Sequence, residues 1–239
     1  MTVRIIEVID RSVQGITHPF ICRGDDGRQY FVKGNGAGRR ALIAEWMAGQ
    51  VGVRLGLPIP TFKQTLIPSR LVELSAREDI HDLGAGTGFG SQLVENVDEL
   101  AYLFIEQVEP DLRAKVLLYD WWICNSDRCL TQEGGNVNLL WTHRDSRLHV
   151  IDQNLAFDES SMGGFWETHV FRESRREWTV TFQDEISGSM SAALEGLPQW
   201  WREMPGAWTE VETGLTLAGL QKLLSRFRDD PATFWEHHE

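Results

Sequence analysis

Residues 112–123 are apolar almost all the way round a helix, and a helix of that kind has to be buried. It runs directly into Asn125-Ser126-Asp127-Arg128, a polar turn that a buried helix would hold rigidly at the edge of a cleft. A short strand carrying Asn138 follows. Leu148-His149-Val150-Ile151 then forms a second strand ending at Asp152, with a hairpin turn at residues 142–146 between the two. One carboxylate able to serve as a base and two oxygen donors able to hold a metal, each at the end of a regular element, is the layout that phosphoryl transfer from a nucleotide requires.

The first part of the chain reads as the other wall of such a site. Residues 3–9 and 20–23 are strands, Asp25-Asp26-Gly27 is a hairpin turn, and residues 29–33 alternate, with Tyr30 and Val32 on one face and Phe31 and Lys33 on the other. A helix over residues 40–55 carries Ile43, Met47, Val51 and Leu55 at every fourth position, the stripe of a helix packed on a sheet. Gly56-Leu57-Pro58-Ile59-Pro60 stops it, and residues 61–67 form another strand. The glycine-rich run Gly84-Ala85-Gly86-Thr87-Gly88-Phe89-Gly90 follows no clear strand, opens no capped helix and ends in no Lys, so it reads as a connector rather than a phosphate loop. Residues 91–94 would then join two lobes.

Beyond Val97 the expectation is helical. Leu100, Leu103, Phe104 and Val108 suggest one amphipathic helix closed by Pro110, before the buried helix already described. Residues 157–188 read as an irregular, substrate-facing segment, and helices near 189–203 and 215–229 pack through Trp200, Trp201, Leu220, Leu223 and Leu224. The predicted class is α+β with two lobes: an antiparallel sheet with one helix in residues 1–94 and a mainly helical part in residues 95–239.

A net charge of -12 argues against a basic face that wraps nucleic acid. No apolar run is long enough for a membrane span, and the start lacks a signal-peptide pattern. Three cysteines form no even framework, so the expected setting is the reducing cytoplasm. Cys124 and Cys129 form no C-x-x-C pair, which speaks against zinc. The basic group Arg172, Arg175 and Arg176 is expected on a solvated surface.

Several side chains carry the candidate chemistry. Lys33 on its strand, facing Glu45 on the following helix, has the form of the ion pair that clamps nucleotide phosphates. Asp127 is the candidate base, for which reach to the acceptor oxygen matters more than a shifted pKa. Arg128 could orient Asp127, neutralise phosphate charge, or simply lie on the surface. Asn138 and Asp152 are the candidate metal ligands, whereas Asn125 and Asn136 serve equally well as turn residues.

Tyr30-Phe31-Val32-Lys33, Leu42-Ile43-Ala44-Glu45, Gly56-Leu57-Pro58-Ile59-Pro60, Asn125-Ser126-Asp127-Arg128, Asn138-Leu139-Leu140 and Ile151-Asp152 occur in an order that resembles the HipA-like kinases, in particular their short stand-alone branch. The resemblance runs from about residue 10 to residue 157. It implies a two-lobed kinase-like fold, ATP with Mg²⁺, and transfer to a Ser or Thr hydroxyl of a protein substrate. It also implies that Lys33 binds phosphates and pairs with Glu45, that Asp127 is the base, and that Asn138 and Asp152 bind Mg²⁺. The loop containing Gly15, Thr17 and His18 would cover the nucleotide, and Gln92, Leu93 and Val94 would form the hinge beside adenine. Many such proteins are toxins held by an antitoxin partner. A small-molecule or lipid-headgroup kinase and a nucleotide-binding pseudokinase scaffold are the alternatives.

This chain departs from that pattern in four places, one being the sparse first Gly-rich loop, in which Gly15 is the one glycine. Residues 129–135 lengthen the segment before the metal-binding Asn, leaving Asn136 and Asn138 both eligible; Asn138 is preferred because Leu139-Leu140 continues the strand. Cys129 stands where many members have His, and Ala44 where many have Asn.

Overall fold

The computed structural model describes residues 2–12, 18–132 and 134–236. Five strands, β1 (Thr2–Arg11), β2 (Phe20–Gly24), β3 (Gln29–Lys33), β4 (Phe62–Ile67) and β5 (Gly86–Gln92), close into a barrel in the order β1-β2-β3-β5-β4. Neighbours are antiparallel except β1 and β4, which close it in parallel from Thr2↔Gln64 to Arg4↔Leu66. Strand alternation fills the interior: Val3 and Ile5, Phe20 and Cys22, and Tyr30 and Val32 form one buried cluster with Ile67, Ile80 and Leu83. Phe31 and Lys33 therefore face the other way, as the alternation predicts.

The glycine-rich segment is not a connector but β5, the strand between β3 and β4. Its glycines make room for its neighbours. A Cβ on Gly88 would sit 2.6 Å from the Lys33 carbonyl oxygen, and one on Gly90 would sit 2.6 Å from Thr65 Cγ2. A strand whose packing demands bare backbone has neither β propensity nor a side-chain period to betray it.

Helix α1 (Arg39–Arg54) is buried along most of its length. The expected stripe of Ile43, Met47, Val51 and Leu55 joins the larger core, together with Tyr119 and Trp122 from α4 (Pro110–Trp122) and Met190 and Leu197 from α6 (Val180–Glu203), the short helices α2 (Ser69–Glu73), α3 (Ile80–Leu83) and α5 (Phe165–Thr168) lying between them in the chain. Tyr119 Oη donates to the Ala48 carbonyl at 2.8 Å, tying α4 to α1. The helix α1 that carries Glu45 is thus braced from behind by the helical part of the chain.

Between barrel and α4 the helical expectation fails. Asp98–Glu99 is a short strand, β6, and Tyr102–Gln107 is a 3₁₀ turn with Leu103 85% exposed. Pro110 does not close a helix there; it opens α4 at the first turn, where its missing N–H costs nothing. Strands β7 (Leu139–Thr142) and β8 (Arg147–Val150) form the expected hairpin and extend β6.

The segment after Phe157 is also more ordered than expected. Short helical turns occupy Glu159–Ser161, Phe165–Thr168 and Arg172–Glu177, and α6 begins at Val180, with Thr179 capping it by accepting from Phe182 N–H at 3.3 Å. Phe182, Ile186, Met190, Ala193 and Leu197 already mark its buried face, a period that the glycine at 188 obscures. Within the basic group, Arg175 is not simply solvated: its guanidinium stacks 4.5 Å over Trp178. The expected final helix is broken at Ser225 into Leu217–Leu224 and Arg226–Asp229, followed by Pro231–Trp235. Trp122 Nε1 donates to the Leu224 carbonyl at 2.7 Å and Trp121 Nε1 to that of Phe234 at 3.1 Å, so the tail docks on α4. Among the described residues no helix is long and apolar enough to cross a membrane.

Candidate active site

Lys33, at the end of β3, is only 7% exposed and lies between two carboxylates. Its ammonium donates to Glu45 Oε1 at 2.5 Å and to Asp152 Oδ1 at 2.7 Å. The second oxygen of Glu45 accepts the Gln153 N–H at 3.3 Å, which fastens α1 to the backbone just past Asp152. Burial alone would push the Lys33 ammonium down, but Glu45 and Asp152 together outweigh it and its pKa lies above the ordinary lysine value. Burial pushes Asp152 up, and Lys33 more than reverses this, so Asp152 stays ionised below the ordinary range. Glu45, the more deeply buried of the two acids, is raised by burial with Lys33 opposing. One ammonium thus serves two carboxylates.

Asp127 is half-buried in the turn after α4. Its Oδ2 accepts from Asn136 Nδ2 at 2.8 Å and from Asn138 Nδ2 at 3.0 Å. The two asparagines between which the spacing left a choice therefore share one carboxylate oxygen, and each keeps its own amide oxygen for another partner. Asn136, Asn138, Lys33, Glu45 and Asp152 all line one cleft. Its apolar walls come from Phe31, Phe62 and Phe89 on the barrel side and Leu140, Val150 and Ile151 on the other. Gln92 and Val94 are part of the wall; Leu93 between them is not, and its N–H is bonded to the Gln29 carbonyl at 2.9 Å. His18 is exposed and its Nδ1 lies 3.2 Å from the Ser12 carbonyl, while the cleft wall at that point is made by Ser12 and Pro19. Gly15 and Thr17 lie outside the described residues.

Arg128 is not a surface residue, and its side chain bonds to groups other than the Asp127 carboxylate. It is fully buried and pairs through Nε with Asp120 Oδ2 at 2.7 Å. Its Nη1 donates to the carbonyls of Asn138 and Ile151, the latter at 3.2 Å. One guanidinium thereby clips together the two strand ends that present Asn138 and Asp152. Both of those residues have left-handed backbones, with φ of 47° and 55°. Such conformations cost about 1–3 kcal/mol each in a non-glycine residue and persist only where the surroundings impose them.

Behind Arg128 stands His169, buried like Asp120. Its Nδ1 accepts the Phe171 N–H at 3.0 Å, so the ring proton sits on Nε2, which donates to Asp120 Oδ2 at 2.9 Å. Burial holds the imidazole below its usual pKa and therefore neutral. Asp120 is raised by burial, but the Arg128 charge outweighs this and keeps it ionised. Neither Asp120 nor His169 figures in the sequence-based site.

The family model described as HipA-like kinase matches residues 5–238. The chain belongs to the HipA-like kinase family. The match covers nearly the whole protein, so this kinase extends the resemblance past residue 157 into its helical tail. As a member of that family it is a phosphotransferase, for which ATP is the implied donor. Its fold is similar to the crystal structure of a Helicobacter pylori proinflammatory kinase, CtkA, with a TM-score of 0.57 and 10% sequence identity over 100% of both chains. Among curated proteins no match to this HipA-like kinase is found.

Proposed function

We propose that this HipA-like kinase transfers the terminal phosphoryl group of ATP to a Ser or Thr hydroxyl of a protein, and that Asn138 and Asp152 would hold the Mg²⁺. The observation that carries the reading is the placement of Lys33 between Glu45 and Asp152, on the same cleft as the asparagines that hold Asp127.

The residues suit a hard divalent cation. Two carboxylates share a single ammonium, and the amide oxygen of Asn138 adds a neutral donor. Mg²⁺ prefers such an all-oxygen set. When bound, the metal and nucleotide supply an electrophilic phosphorus whose developing charge is neutralised. The chain's own groups do the rest. Lys33, held in place by Glu45, clamps the phosphates. Asp127, kept by Asn136 and Asn138 with one oxygen free, orients the acceptor hydroxyl and takes its proton. Gln92 and Val94 are assigned to the adenine edge, residues 1–94 and 95–239 to the two lobes, and Gly15, Thr17 and His18 to the cover over the nucleotide. Asp127 is half-exposed, so a hydroxyl carried on a macromolecule can reach it. The same proposal includes a toxin role under an antitoxin-like partner, to be read from the neighbouring gene.

The test is incorporation of labelled phosphate from ATP by the wild type, Asp127→Ala and Asp152→Ala. Label on protein in the wild type alone is expected. Equal incorporation by all three refutes the assignment, and label migrating with small molecules instead of protein refutes the protein acceptor. ATP with Mg²⁺ should raise the wild-type Tm, since a ligand that binds only the folded state stabilises it.

A further inference from the structure

Strand β1 ends beside the cleft, and Arg11 is its last residue. Arg11 pairs with Phe20 of β2, and Phe20 with Val32 of β3. One residue further along that register stand Ser12, Pro19 and Lys33, and all three line the cleft. The Ser12 N–H donates to the Pro19 carbonyl at 2.9 Å, which continues the pairing. Successive strand residues point to opposite faces, so Arg11 turns away from the wall that Ser12 makes. Arg11 is not among the residues that line the cleft; it lies over the ring of the buried Phe20, with its guanidinium carbon 4.8 Å from the ring centre.

From there the guanidinium reaches two parts of the chain at once. Its Nε donates to the His18 carbonyl at 3.0 Å, which holds the residue directly before Pro19. Its Nη2 lies 2.7 Å from Asp82 Oδ2, and its Nη1 donates to Asp79 Oδ2 at 3.5 Å. Asp79 is also held by Arg77, whereas Asp82 has no other ion-pair partner among the described residues. Asp82 belongs to α3, whose Ile80 and Leu83 pack into the barrel cluster. The backbone of α3 meanwhile presses on the chain just past Lys33, where a Cβ on Gly34 would collide with the Leu83 carbonyl. Helix α3 therefore touches the cleft frame twice, by its main chain behind Lys33 and by its acid through Arg11.

We infer that Arg11 is a positioning residue for the kinase reaction, bracing the Ser12 and Pro19 wall of the cleft against α3 and so fixing that wall relative to Lys33. The inference rests on the ATP reading of the cleft. Arg11 acts without touching the nucleotide: it sets the share of molecules whose wall already stands in the binding position, and apparent affinity falls in proportion to that share. Arg11→Met keeps the stem that covers Phe20 and removes every donor. Arg11→Lys keeps a charge for Asp82, but a compact ammonium lacks the fork that spans His18 and the two acids. Asp82→Asn removes the charge from the α3 side, at a side chain that is 53% exposed and outside the cleft.

The test titrates ATP with Mg²⁺ into the full chain by calorimetry and follows incorporation of labelled phosphate at saturating ATP. Arg11→Met should raise the Kd for ATP roughly tenfold and leave the saturated rate within about twofold of the wild type, the signature of binding lost without chemistry. Asp82→Asn should raise Kd roughly threefold, and Arg11→Lys should fall between Arg11→Met and the wild type. The control is Arg23→Met, because Arg23 makes a comparable ion pair with Glu7 at 2.8 Å on the neighbouring strand. Its Kd for ATP should equal that of the wild type, whatever its Tm. Circular dichroism at the assay temperature shows which variants are folded, and the exposed Asp82→Asn carries the test if Arg11→Met is not. An unchanged Kd in Asp82→Asn or in folded Arg11→Met, a loss confined to the saturated rate, or an equal rise in Arg23→Met overturns the inference and leaves the kinase reading standing. A wild type that binds no ATP overturns both.

Discussion

Replacing Asp120 with Asn isolates what the buried Arg128 contributes. The substitution keeps shape and volume and leaves an oxygen to accept from His169, so little packing is lost. What it removes is the charge opposite a guanidinium that is fully buried. Breaking one partner out of a buried pair costs about 3–5 kcal/mol, because the remaining charge is stranded. For a domain of this size each kcal/mol corresponds to about 2–4 °C, so Tm should fall by roughly 6–20 °C. Asp120→Asn/Arg128→Met strands no charge, and its Tm should recover most of that loss, although the Asn138 and Ile151 carbonyls lose their shared donor. The measurement is thermal unfolding followed by circular dichroism at pH 7.5. A single variant as stable as the wild type, or a double variant no more stable than the single, would falsify the claim that an uncompensated charge is the dominant cost. The pH dependence supplies a second check. His169 has its folded pKa depressed below the ordinary 6.5, so the unfolded chain binds the extra proton. Its penalty is absent above about pH 6.5 and grows as pH falls from there toward the folded pKa. His169→Gln, whose amide can still donate to Asp120, should lose stability by about 1 kcal/mol at pH 7.5 and show a flatter decline between pH 6.5 and 5.5.

Three further outcomes are expected. Asp127→Ala should lower kcat for phosphate transfer by about 10²–10⁴, the usual contribution of a positioned base, with the KM for ATP changed little; an equal loss in ATP affinity would argue for a structural role. Lys33→Met should lower Tm at neutral pH, since Glu45 and Asp152 lose their cation, and the gap to the wild type should narrow toward pH 5. Asp152 has its pKa held down by Lys33 in the wild type, a contribution present above its unfolded value and lost as pH falls through the folded one, whereas the variant's carboxylates are free to take up protons. Gly88→Ala should destabilise by about 1–3 kcal/mol through overpacking, because the new Cβ meets the Lys33 carbonyl oxygen at 2.6 Å, and differential scanning calorimetry would read it.

Much of the frame was legible because it follows from side-chain periods. Alternation at Tyr30 to Lys33 places Lys33 opposite the barrel interior, and the four-residue stripe of α1 sets Glu45 on a helix braced by α4. Elements whose packing suppresses the period were not legible. Strand β5 is glycine where its neighbours press closest, and the first half of α6 hides a buried face behind Gly188.

Arg128 shows a different gap, and one that the chain's composition could have closed. Its sequence neighbours, Asp127 and Cys129, give no sign that the guanidinium points inward, since the turn is polar throughout. The sign lies eight residues earlier. Asp120 falls in the last turn of a helix that is otherwise apolar on nearly every side, and an ionised carboxylate in such a place must have a buried cation to remain charged. Arg113 and Lys115 sit in earlier turns of that helix, where Arg113 pairs with Glu106 and Lys115 with Asp111. The next cation along the chain is Arg128, which a tight turn can fold back along the helix end. Asn125 reinforces that turn, donating to Asp120 through its side chain at 2.9 Å and through its backbone at 2.8 Å. An acid in the buried last turn of such a helix, with no cation beside it on the helix, is thus the signal that the arginine beside the candidate base serves the scaffold, bonding the Asn138 and Ile151 carbonyls next to the two left-handed residues.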